Sequence, residues 1–322
     1  MSRELLQIGG VSPRMTEALE ALYDKVHRAA EIDDLPAYLA EHGARIGAVC
    51  TNGHDGCPAA VMEALPNLKI ISGYGVGYDA VDAPAAAARG IVVTHTPDVL
   101  NDDVANTAVM LLLATTRRLV RDDSYVRAGK WTGFGAAPLT RSIAGKTIGI
   151  LGLGRIGLTI AHKLEAAFGC TIAYHTRTKR DVAYAYYDDL EALARDSFAL
   201  INITPGGKAT EKLVNRAVLD ALGPEGTFVN VGRGSTCDEA ALVAALQEGT
   251  LGGAGLDVFE DEPNVPEALF GMENVTLLPH VGSATVETRQ AMGDLVVENL
   301  RLFEAEGRVV SPVPECAAIA KL

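Results

Sequence analysis

The 322-residue sequence lacks features that would define several classes of protein. It contains no run rich in Lys and Arg, and its net charge is −13, which argues against nucleic acid or an acidic membrane surface as a partner. No stretch of about eighteen apolar residues occurs, so we expect no transmembrane helix. The opening stretch MSRELLQIGG has no long apolar segment behind its arginine, so we expect no signal peptide.

Cysteines are few, and they form no recognisable motif. The five cysteines, an odd number, lie at positions 50, 57, 170, 237 and 316, and no two are arranged as CxxC. This usage is typical of a reduced, cytoplasmic protein without a structural metal. We therefore expect a cytoplasmic location and no metal site.

Short apolar runs alternate with helical patterns along the first hundred residues. The strand-like runs are LLQIGG, RIGAVC, KIISGYGVG and IVVTHTP, and the helix-like segments between them are RMTEALEALY, PAAVMEALP and DAPAAAARG. This alternation predicts a parallel sheet with helices on both faces. One long helix is then predicted from about Asp102 to Ala128, followed by the irregular stretch KWTGFGAAPLTRSIAG.

A second alternating series begins at Lys146 and ends near VTLLPHVG. A last amphipathic helix is predicted to return to the first unit, because apolar residues recur at three- and four-residue steps at Met292, Leu295, Val296, Leu300 and Phe303. The sequence therefore predicts an α/β protein with two doubly wound parallel-sheet units, joined by crossings near residues 100 and 285.

A glycine-rich turn follows the first strand of the second series. Gly152, Gly154 and Gly157 have the spacing GxGxxG between a strand and a helix, and a second strand, CTIAYH, follows. In this context the glycines permit a tight turn, close approach of the backbone to a pyrophosphate, and close packing of helix on strand. The amides of Arg155 and Ile156, at the positive end of the helix, are predicted to hold the phosphates. The alternative is a tight turn that binds no ligand.

The residues that follow the second strand indicate which dinucleotide is bound. An acidic residue there would bind the ribose hydroxyls of NAD and repel the 2′-phosphate of NADP. Here the strand ends at His175. Arg177 and Thr178 come after it, and no carboxylate occurs before Asp181. Arg177 can pair bidentately with a phosphate and Thr178 can donate a hydroxyl, so the sequence favours NADP(H). The alternative is a solvated basic turn.

Charged side chains follow three later strands. Arg233 lies between two glycines after TFVNV, Asp257 and Glu262 lie in GAGLDVFEDEP, and His280 follows a proline in VTLLPHVG. Ligands of open α/β sheets bind at the carboxyl ends of the strands, so we expect these residues to converge. Singly, each could be structural: an arginine pairing a surface acid, a glutamate in solvent, a loop histidine. Together, after a dinucleotide motif, they predict a catalytic site.

These stretches resemble the D-isomer-specific 2-hydroxyacid dehydrogenase family over essentially the whole chain. The matching segments are ILGLGRIG, NVGRGSTCDEAAL, GGAGLDVFEDEP, LLPHVGSAT, SGYGVGYDAVD and VTHTPDVLNDDVAN. In detail they are most similar to the glyoxylate/hydroxypyruvate reductases and the hydroxyphenylpyruvate reductases. One departure is NITPGGKAT, where the family has a Pro-Leu-Thr-like segment that lines the cofactor.

The resemblance implies a fold and an activity. It implies a Rossmann coenzyme domain over 101–285 and a flavodoxin-like substrate-binding domain built from 1–100 and 286–322. It implies an NADPH-dependent enzyme that reduces glyoxylate or hydroxypyruvate to the D-2-hydroxyacid. Reductases of bulkier 2-oxoacids (phenylpyruvates or 2-ketogluconate) and a dinucleotide-sensing regulatory protein of the same fold remain alternatives. Because the family's dimer contacts use the region of Trp131, Phe134 and Leu139, a homodimer is implied; the alternative is a local hydrophobic cluster.

The resemblance also implies residue roles. His280 would donate the proton to the alkoxide, and Glu262, paired with it, would favour the imidazolium. Arg233 would hold the substrate carboxylate and carbonyl oxygen, and Asp257 would hold the nicotinamide carboxamide. Further residues are assigned to the cofactor (Thr204, Pro205, Thr210, Val231) and to the substrate (the amides of Val76 and Gly77, with Asn52, Gly53 and Leu100). His54, nearby, is better explained as a loop histidine than as a catalyst.

Overall fold

The structure, a computed structural model, describes residues 3–134 and 137–320. Residues 1, 2, 321 and 322 of the predicted substrate-binding domain lie outside the described residues, as do Gly135 and Ala136 of the irregular stretch. The strands are β1 (Glu4–Gln7), β2 (Lys25–Arg28), β3 (Ile46–Asn52), β4 (Ile70–Tyr74), β5 (Val92–Thr94), β6 (Thr147–Leu151), β7 (Thr171–His175), β8 (Ala185–Tyr186), β9 (Ala199–Asn202), β10 (Thr227–Asn230), β11 (Gly253–Leu256) and β12 (Val275–Leu277).

The α-helices alternate with these strands. They are α1 (Pro13–Leu22), α2 (Leu35–His42), α3 (Ala59–Glu63), α4 (Ala83–Ala88), α5 (Asn101–Thr116), α6 (Leu119–Arg127), α7 (Arg155–Phe168), α8 (Leu190–Arg195), α9 (Arg216–Leu222), α10 (Glu239–Glu248) and α11 (Val286–Glu306). Within the described ranges, none of these helices is long and apolar enough to cross a membrane.

The chain divides into two compact units. Unit 1 contains the residues up to Leu100 together with those from Thr285 onward, and unit 2 runs Asn101–Ala284. The parallel sheet of unit 1 has the strand order β2-β1-β3-β4-β5. This order is the flavodoxin-like arrangement, in which the second strand lies outside the first and the later strands extend the other way.

The parallel sheet of unit 2 has the order β12-β11-β10-β9-β6-β7-β8. The chain moves from β6 outward through β7 and β8, then crosses back to β9 and continues to β12. This is the Rossmann order, and it places a topological switch point between β6 and β9. The predicted fold class, two doubly wound parallel-sheet units of Rossmann and flavodoxin-like type, is confirmed.

The central strands of unit 2 are buried along their length, and they end level with one another. Every residue of β9, β10 and β11 is buried, as expected for a parallel sheet covered on both faces. The register aligns Leu151 with His175 and with Asn202, then Asn202 with Asn230, and Asn230 with Leu256. The loops that follow these strands therefore leave the sheet at one shared edge.

The prediction of one long helix from Asp102 to Ala128 is wrong. The structure has two helices here, α5 and α6, separated by a turn at Arg117 and Arg118. Arg118 has a φ of 52°, in the left-handed region, and its Nη2 donates to the carbonyl oxygen of Gly252 at 2.9 Å. A left-handed residue ends α5, and a contact distant in sequence holds that residue in place.

Unit 1 also contains elements that the sequence analysis did not assign. β2 and α2 add a fifth strand and a helix to the four strands identified from sequence. β2 reads KVHR, and only His27 is buried in it, so it carries no apolar alternation. The last helix, α11, packs on β4, where the Ser72 hydroxyl donates to the Val296 carbonyl at 3.3 Å and the Tyr74 hydroxyl donates to the Arg289 carbonyl at 2.8 Å.

Candidate active site

The glycine turn after β6 has the backbone geometry that a diphosphate requires. Gly152 has a φ of 97°, which strongly favours glycine. A Cβ on Gly157 would lie 2.2 Å from the Gly152 carbonyl oxygen, so a side chain there would push α7 off the turn. A Cβ on Gly154 would meet no protein atom within 4 Å among the described residues. Gly154 is also the N-cap of α7 and has no side chain to cover the first-turn amides of Arg155 and Ile156. The turn therefore fits a dinucleotide phosphate.

The loop after β7 carries the residues that were predicted to determine whether NADP or NAD is bound. His175 ends the strand, and its Nδ1 lies 3.0 Å from the Tyr187 carbonyl oxygen, which fixes the imidazole against the neighbouring backbone. Arg177 and Thr178 follow at exposed positions. Their side chains are accessible to a ligand bound at this edge of unit 2.

The loops after β9 and β10 carry the other candidate cofactor residues. Thr204 is buried, and its hydroxyl and amide both donate to Oδ1 of Asn202, at 2.7 and 3.1 Å. The Thr210 hydroxyl donates to the Pro205 carbonyl at 2.7 Å, so the unusual GGKAT segment forms a closed turn. The amide of Val231, which is also buried, donates to the Asn202 carbonyl at 3.0 Å.

Two buried asparagines, which the sequence analysis missed, connect these loops. Asn202 Nδ2 donates to Asn230 Oδ1 at 3.1 Å and to Thr236 Oγ1 at 2.6 Å. Asn230 Nδ2 and Thr236 Oγ1 both donate to the carbonyl oxygen of Arg233, at 3.1 and 2.6 Å. The sequence signal was available: each asparagine is a polar residue at the end of an apolar strand, in ALIN and TFVN. The network fixes the backbone that carries Arg233.

Arg233 lies in a loop with no room for larger residues beside it. A Cβ on Gly234 would lie 1.8 Å from the backbone of Phe259, and a Cβ on Gly232 would lie 2.6 Å from the Thr204 carbonyl oxygen. The Arg233 guanidinium donates to the Gly232 carbonyl at 2.9 Å. Its positive charge also contributes to lowering the pKa of Glu262, so it lies within electrostatic range of that carboxyl.

His280 and Glu262 form a direct pair. His280 Nδ1 lies 2.7 Å from Glu262 Oε2, and Glu262 Oε1 accepts the Phe259 amide at 3.0 Å. The His280 side chain is 43% exposed and that of Glu262 18%, so the imidazole can meet a ligand while the carboxylate stays behind it. Burial acts to raise the pKa of Glu262, but the hydrogen bonds from His280 and Phe259 and the nearby positive charges outweigh it and hold that pKa below its usual value.

Asp257 holds the loop that carries His280. The Asp257 side chain is buried, and its two oxygens accept the amides of Val281 and Gly282 at 2.7 and 2.8 Å. Its carbonyl oxygen accepts the His280 amide at 2.8 Å, where His280 has a φ of 52°. Burial raises the pKa of the Asp257 carboxyl, although the two amides oppose the shift. The family resemblance connected Asp257 only with the cofactor, and these contacts with the His280 loop were not expected from sequence.

The substrate candidates of unit 1 lie at the ends of β3 and β4. Asn52 ends β3 and is paired in register with Tyr74, the last residue of β4. The Gly75 amide donates to Thr96 Oγ1 at 3.0 Å, and the Val76 carbonyl oxygen lies 3.0 Å from His95 Nδ1. These contacts fix the loop that contains Val76 and Gly77.

The remaining candidates of unit 1 differ in accessibility. Gly53 follows β3, and its backbone lies 3.8 Å from the position that a Cβ on Gly75 would occupy, so the two loops are neighbours. Leu100 is 5% exposed and directly precedes α5. His54 is an exposed loop residue whose Nδ1 lies 3.1 Å from Asp55 Oδ1, as expected of a loop histidine.

Unit 2 carries a glycine turn and a histidine loop at the carboxyl ends of one parallel sheet. Because Nδ1 of His280 faces the Glu262 carboxylate, Nε2 is the ring nitrogen that can reach a substrate. The glycine turn and the His280 loop both follow strands of the same parallel sheet at their carboxyl ends. Fold and site together define a dinucleotide-dependent oxidoreductase.

Comparisons with known proteins identify the family. Residues 109–282 match the family model described as D-isomer specific 2-hydroxyacid dehydrogenase, NAD binding domain. The chain is 48% identical over 303 residues to hydroxyphenylpyruvate reductase of Plectranthus scutellarioides, covering 93% of this chain and 96% of that one. It is 51% identical over 276 residues to a glyoxylate/hydroxypyruvate reductase of Arabidopsis thaliana, covering 85% and 88%.

A solved structure extends the likeness to the whole chain. The NADPH-dependent glyoxylate/hydroxypyruvate reductase of Sinorhizobium meliloti, crystallised with NADP and malonate, superimposes with a TM-score of 0.92 at 50% identity, covering 98% of both chains. The protein belongs to the D-isomer specific 2-hydroxyacid dehydrogenase family, as the sequence motifs indicated, and it is an enzyme of that family.

Proposed function

We propose that the protein reduces a small 2-oxoacid, glyoxylate or hydroxypyruvate, to the D-2-hydroxyacid with NADPH. The observation that carries the proposal is the 2.7 Å pair of His280 and Glu262 at the sheet edge that also bears the glycine turn. The similarity to reductases named for glyoxylate and hydroxypyruvate supports the substrate class, and the Sinorhizobium enzyme's use of NADPH supports the cofactor.

The residues of the chain supply binding, orientation and a proton. NADPH, when bound, supplies the hydride for C2 of the oxoacid. The Arg233 guanidinium binds the substrate carboxylate and stabilises the negative charge that develops on the C2 oxygen. His280, as the imidazolium, donates the proton to that oxygen through Nε2. Glu262 keeps the ring oriented and stabilises its protonated form.

We assign NADPH binding to unit 2, the domain predicted over 101–285. The amides of Arg155 and Ile156 would hold the diphosphate, and Arg177 and Thr178 the 2′-phosphate, with His175 beside them. The other proposed cofactor contacts come from the loops after β9, β10 and β11 and are made by Thr204, Pro205, Thr210, Val231 and Asp257. We assign a substrate-binding role to unit 1, predicted as 1–100 with 286–322, through the amides of Val76 and Gly77 with Asn52, Gly53 and Leu100.

The test is to mix the purified protein with NADPH and each 2-oxoacid and to follow loss of the reduced nicotinamide absorbance. We expect oxidation with glyoxylate and hydroxypyruvate and a higher kcat/KM for these than for phenylpyruvates or 2-ketogluconate. The reverse ranking would favour the bulkier substrates; for phenylpyruvates, hydroxyphenylpyruvate reductase of Plectranthus is the relevant relative. Binding of NADPH without its oxidation by any of these 2-oxoacids would contradict the proposed reaction.

We also propose a homodimer. The Trp131, Phe134 and Leu139 side chains are 57%, 101% and 100% exposed in the chain alone, and large exposed apolar groups in one segment are typical of an interaction surface. Light scattering should give twice the mass of one chain, and the double variant Phe134→Lys/Leu139→Lys should shift the protein toward the mass of one. A wild-type protein with the mass of one chain would contradict the proposal.

We further propose a cytoplasmic location. All five cysteines are free and buried, which is compatible with a reducing compartment. Fractionation of the source cells, followed by detection of the protein with an antibody, would test the location; recovery outside the cytoplasmic fraction would contradict it.

A further inference from the structure

The loop that carries Arg177 and Thr178 is held by tyrosine hydroxyls that the proposed function does not use. Tyr174, in β7, is 0% exposed. Its hydroxyl accepts the Arg180 amide at 2.9 Å and donates to the Arg180 carbonyl at 3.1 Å. One buried hydroxyl therefore holds both polar groups of a single backbone position, three residues beyond Arg177.

A second tyrosine holds the other end of the same loop. Tyr186 is paired with Tyr174 in register between β8 and β7, and the two ring centroids are 5.4 Å apart. The Tyr186 hydroxyl donates to the Thr176 carbonyl at 3.3 Å. The Thr176 hydroxyl in turn donates to the Thr178 carbonyl at 2.8 Å, inside the loop.

These contacts enclose the two residues that would meet a 2′-phosphate. Arg177 and Thr178 lie between Thr176, which Tyr186 holds, and Arg180, which Tyr174 holds. A buried hydroxyl must be hydrogen-bonded to avoid a desolvation cost, but its partners need not be in a ligand-binding loop. Here the hydroxyls' partners, Thr176 and Arg180, lie on both sides of Arg177. The tyrosines therefore restrict the backbone from which the Arg177 side chain extends. A loop that is ordered before binding loses less conformational entropy when the ligand arrives.

We propose that Tyr174 and Tyr186 are positioning residues for cofactor selection, which hold the Arg177–Thr178 backbone so that these side chains meet the 2′-phosphate of NADPH. The inference rests on the proposed use of NADPH and adds to it the residues that make the loop selective. NADH has no 2′-phosphate and therefore gains no phosphate contact from Arg177 and Thr178. The tyrosines therefore affect NADPH affinity and leave NADH affinity nearly unchanged.

The test is a pair of titrations, NADPH and NADH, on purified wild type and on Tyr174→Phe and Tyr186→Phe, with binding followed by calorimetry. Each substitution removes a hydroxyl and keeps the ring. We expect Tyr174→Phe to weaken NADPH about three- to tenfold, the equivalent of about one net hydrogen bond, with NADH changed less than about twofold. Tyr186→Phe should have a smaller effect in the same direction, because its single bond is longer.

Tyr184→Phe is the matched control. Tyr184 lies two residues before Tyr186, but its hydroxyl does not bond to the loop that carries Arg177. It donates instead to Oε2 of Glu165, on α7, at 3.1 Å. We expect this variant to bind both cofactors as the wild type does. Thermal unfolding of each variant confirms that it is folded, and if Tyr174→Phe does not fold, Tyr186→Phe supplies the same test.

A double-mutant cycle with Arg177→Ala separates positioning from general support of the fold. If Tyr174 acts mainly through Arg177, then Tyr174→Phe in the Arg177→Ala background should weaken NADPH by less than about twofold, because the charged side chain that it positions is gone and only the weaker contact of the uncharged Thr178 hydroxyl remains. Additive losses, or equal losses for NADPH and NADH, would overturn the positioning role.

The cycle also distinguishes this inference from the cofactor assignment. If Arg177→Ala selectively weakens NADPH while Tyr174→Phe weakens both cofactors equally, only the positioning role fails. If the wild type binds NADH more tightly than NADPH, the assignment of NADPH fails and the positioning role fails with it. If the wild type prefers NADPH but Arg177→Ala leaves the ratio of the two affinities unchanged, Arg177 only supports the loop, and the positioning role fails while the assignment of NADPH stands.

Discussion

His280 Nδ1 lies 2.7 Å from Glu262 Oε2, and the other oxygen of that carboxylate accepts the Phe259 amide at 3.0 Å. The backbone therefore orients the carboxylate, and the carboxylate orients the imidazole. Although burial opposes ionisation, these hydrogen bonds and the nearby positive charges hold the pKa of Glu262 below its usual value. The pair is accordingly preorganised, with Nδ1 of the imidazole facing the carboxylate and Nε2 left to face a substrate.

Replacing the histidine should abolish most turnover without preventing cofactor binding. A general acid contributes roughly 10²–10⁴-fold to the rate, so His280→Gln should lower kcat for hydroxypyruvate by that order. NADPH affinity, measured by titration, should remain close to that of the wild type. A fall in kcat of less than about tenfold would contradict the assigned role.

Replacing the carboxylate should move the pH dependence of reduction toward acid. With its pKa lowered, Glu262 is ionised throughout an assay range near neutrality, and its charge favours the imidazolium. Reduction requires the proton, so activity fades as pH rises, and in Glu262→Gln it should fade at lower pH than in the wild type. Glu260→Gln, on the same loop but 3.7 Å from Lys212, is the control. Identical profiles of kcat/KM for Glu262→Gln and the wild type would show that the pair is not coupled.

Removing the basic side chain after β7 should weaken NADPH specifically. One charge-assisted hydrogen bond contributes roughly 1.5–3 kcal/mol, so Arg177→Ala should lower NADPH affinity about ten- to a hundredfold and leave NADH nearly unchanged. His175→Asp, which introduces an acceptor for the ribose hydroxyls, should raise the preference for NADH further. Both effects are measured by paired titrations. Equal loss of the two cofactors in Arg177→Ala would mean that this arginine only supports the loop.

Adding a methyl group at Gly282, two residues after His280, should slow turnover. A Cβ on Gly282 would lie 2.9 Å from Asp257 Oδ2, so in Gly282→Ala either this carboxylate or the loop must shift, and either shift disturbs the hydrogen bonds that hold the loop of His280. Misplacement of about 1 Å can cost of order a hundredfold in rate, and we expect kcat to fall at least about tenfold. Gly271→Ala is the control, because no described atom lies within 4 Å of a Cβ there. Wild-type kcat in Gly282→Ala would show that the contact is not needed.

The buried His27 should make the stability of the protein sensitive to acid. Burial lowers its pKa from 6.5, even though the hydrogen bond to Glu4 opposes the shift. Below 6.5 the unfolded chain therefore takes up a proton that the folded chain does not, and the free energy of unfolding falls until the folded pKa is reached. The slope is at most about 1.4 kcal/mol per pH unit.

Denaturant unfolding at several pH values measures this slope. His27→Gln should lose less stability than the wild type on acidification, whereas His162→Gln, at an exposed histidine on α7, should behave as the wild type. If the wild type instead gains stability relative to His27→Gln in acid, then Glu4 holds the imidazolium in the folded state and the direction is wrong.

The sequence predicted the features whose determinants are local. The glycine turn was recognisable because its requirements, a positive φ at Gly152 and no Cβ at Gly157, are met within six residues. The strand-end placement of Arg233, Glu262 and His280 followed from the rule that parallel strands share a carboxyl edge. These local and topological signals were sufficient for the fold class and the family.

Features that depend on distant partners were missed. The helix break at Arg118 depends on the carbonyl of Gly252, 134 positions away. The helical pattern of the residues around Arg118 gives no sign of the break. The Asn202–Asn230 network and the contacts of Asp257 with the His280 loop involve atoms whose proximity is known only once the sheet is assembled. β2 was missed because its sequence carries no apolar alternation.

The buried thiols make the folded protein suitable for site-specific labelling. All five native cysteines are buried, and burial raises the pKa of Cys50 and of Cys57 to about 12, so their reactive thiolate forms are scarce near neutrality. A Lys179→Cys substitution would add an exposed thiol that a maleimide dye modifies ahead of them. Fluorescence from that position would then report movement beside the proposed 2′-phosphate site, with every native cysteine left in place.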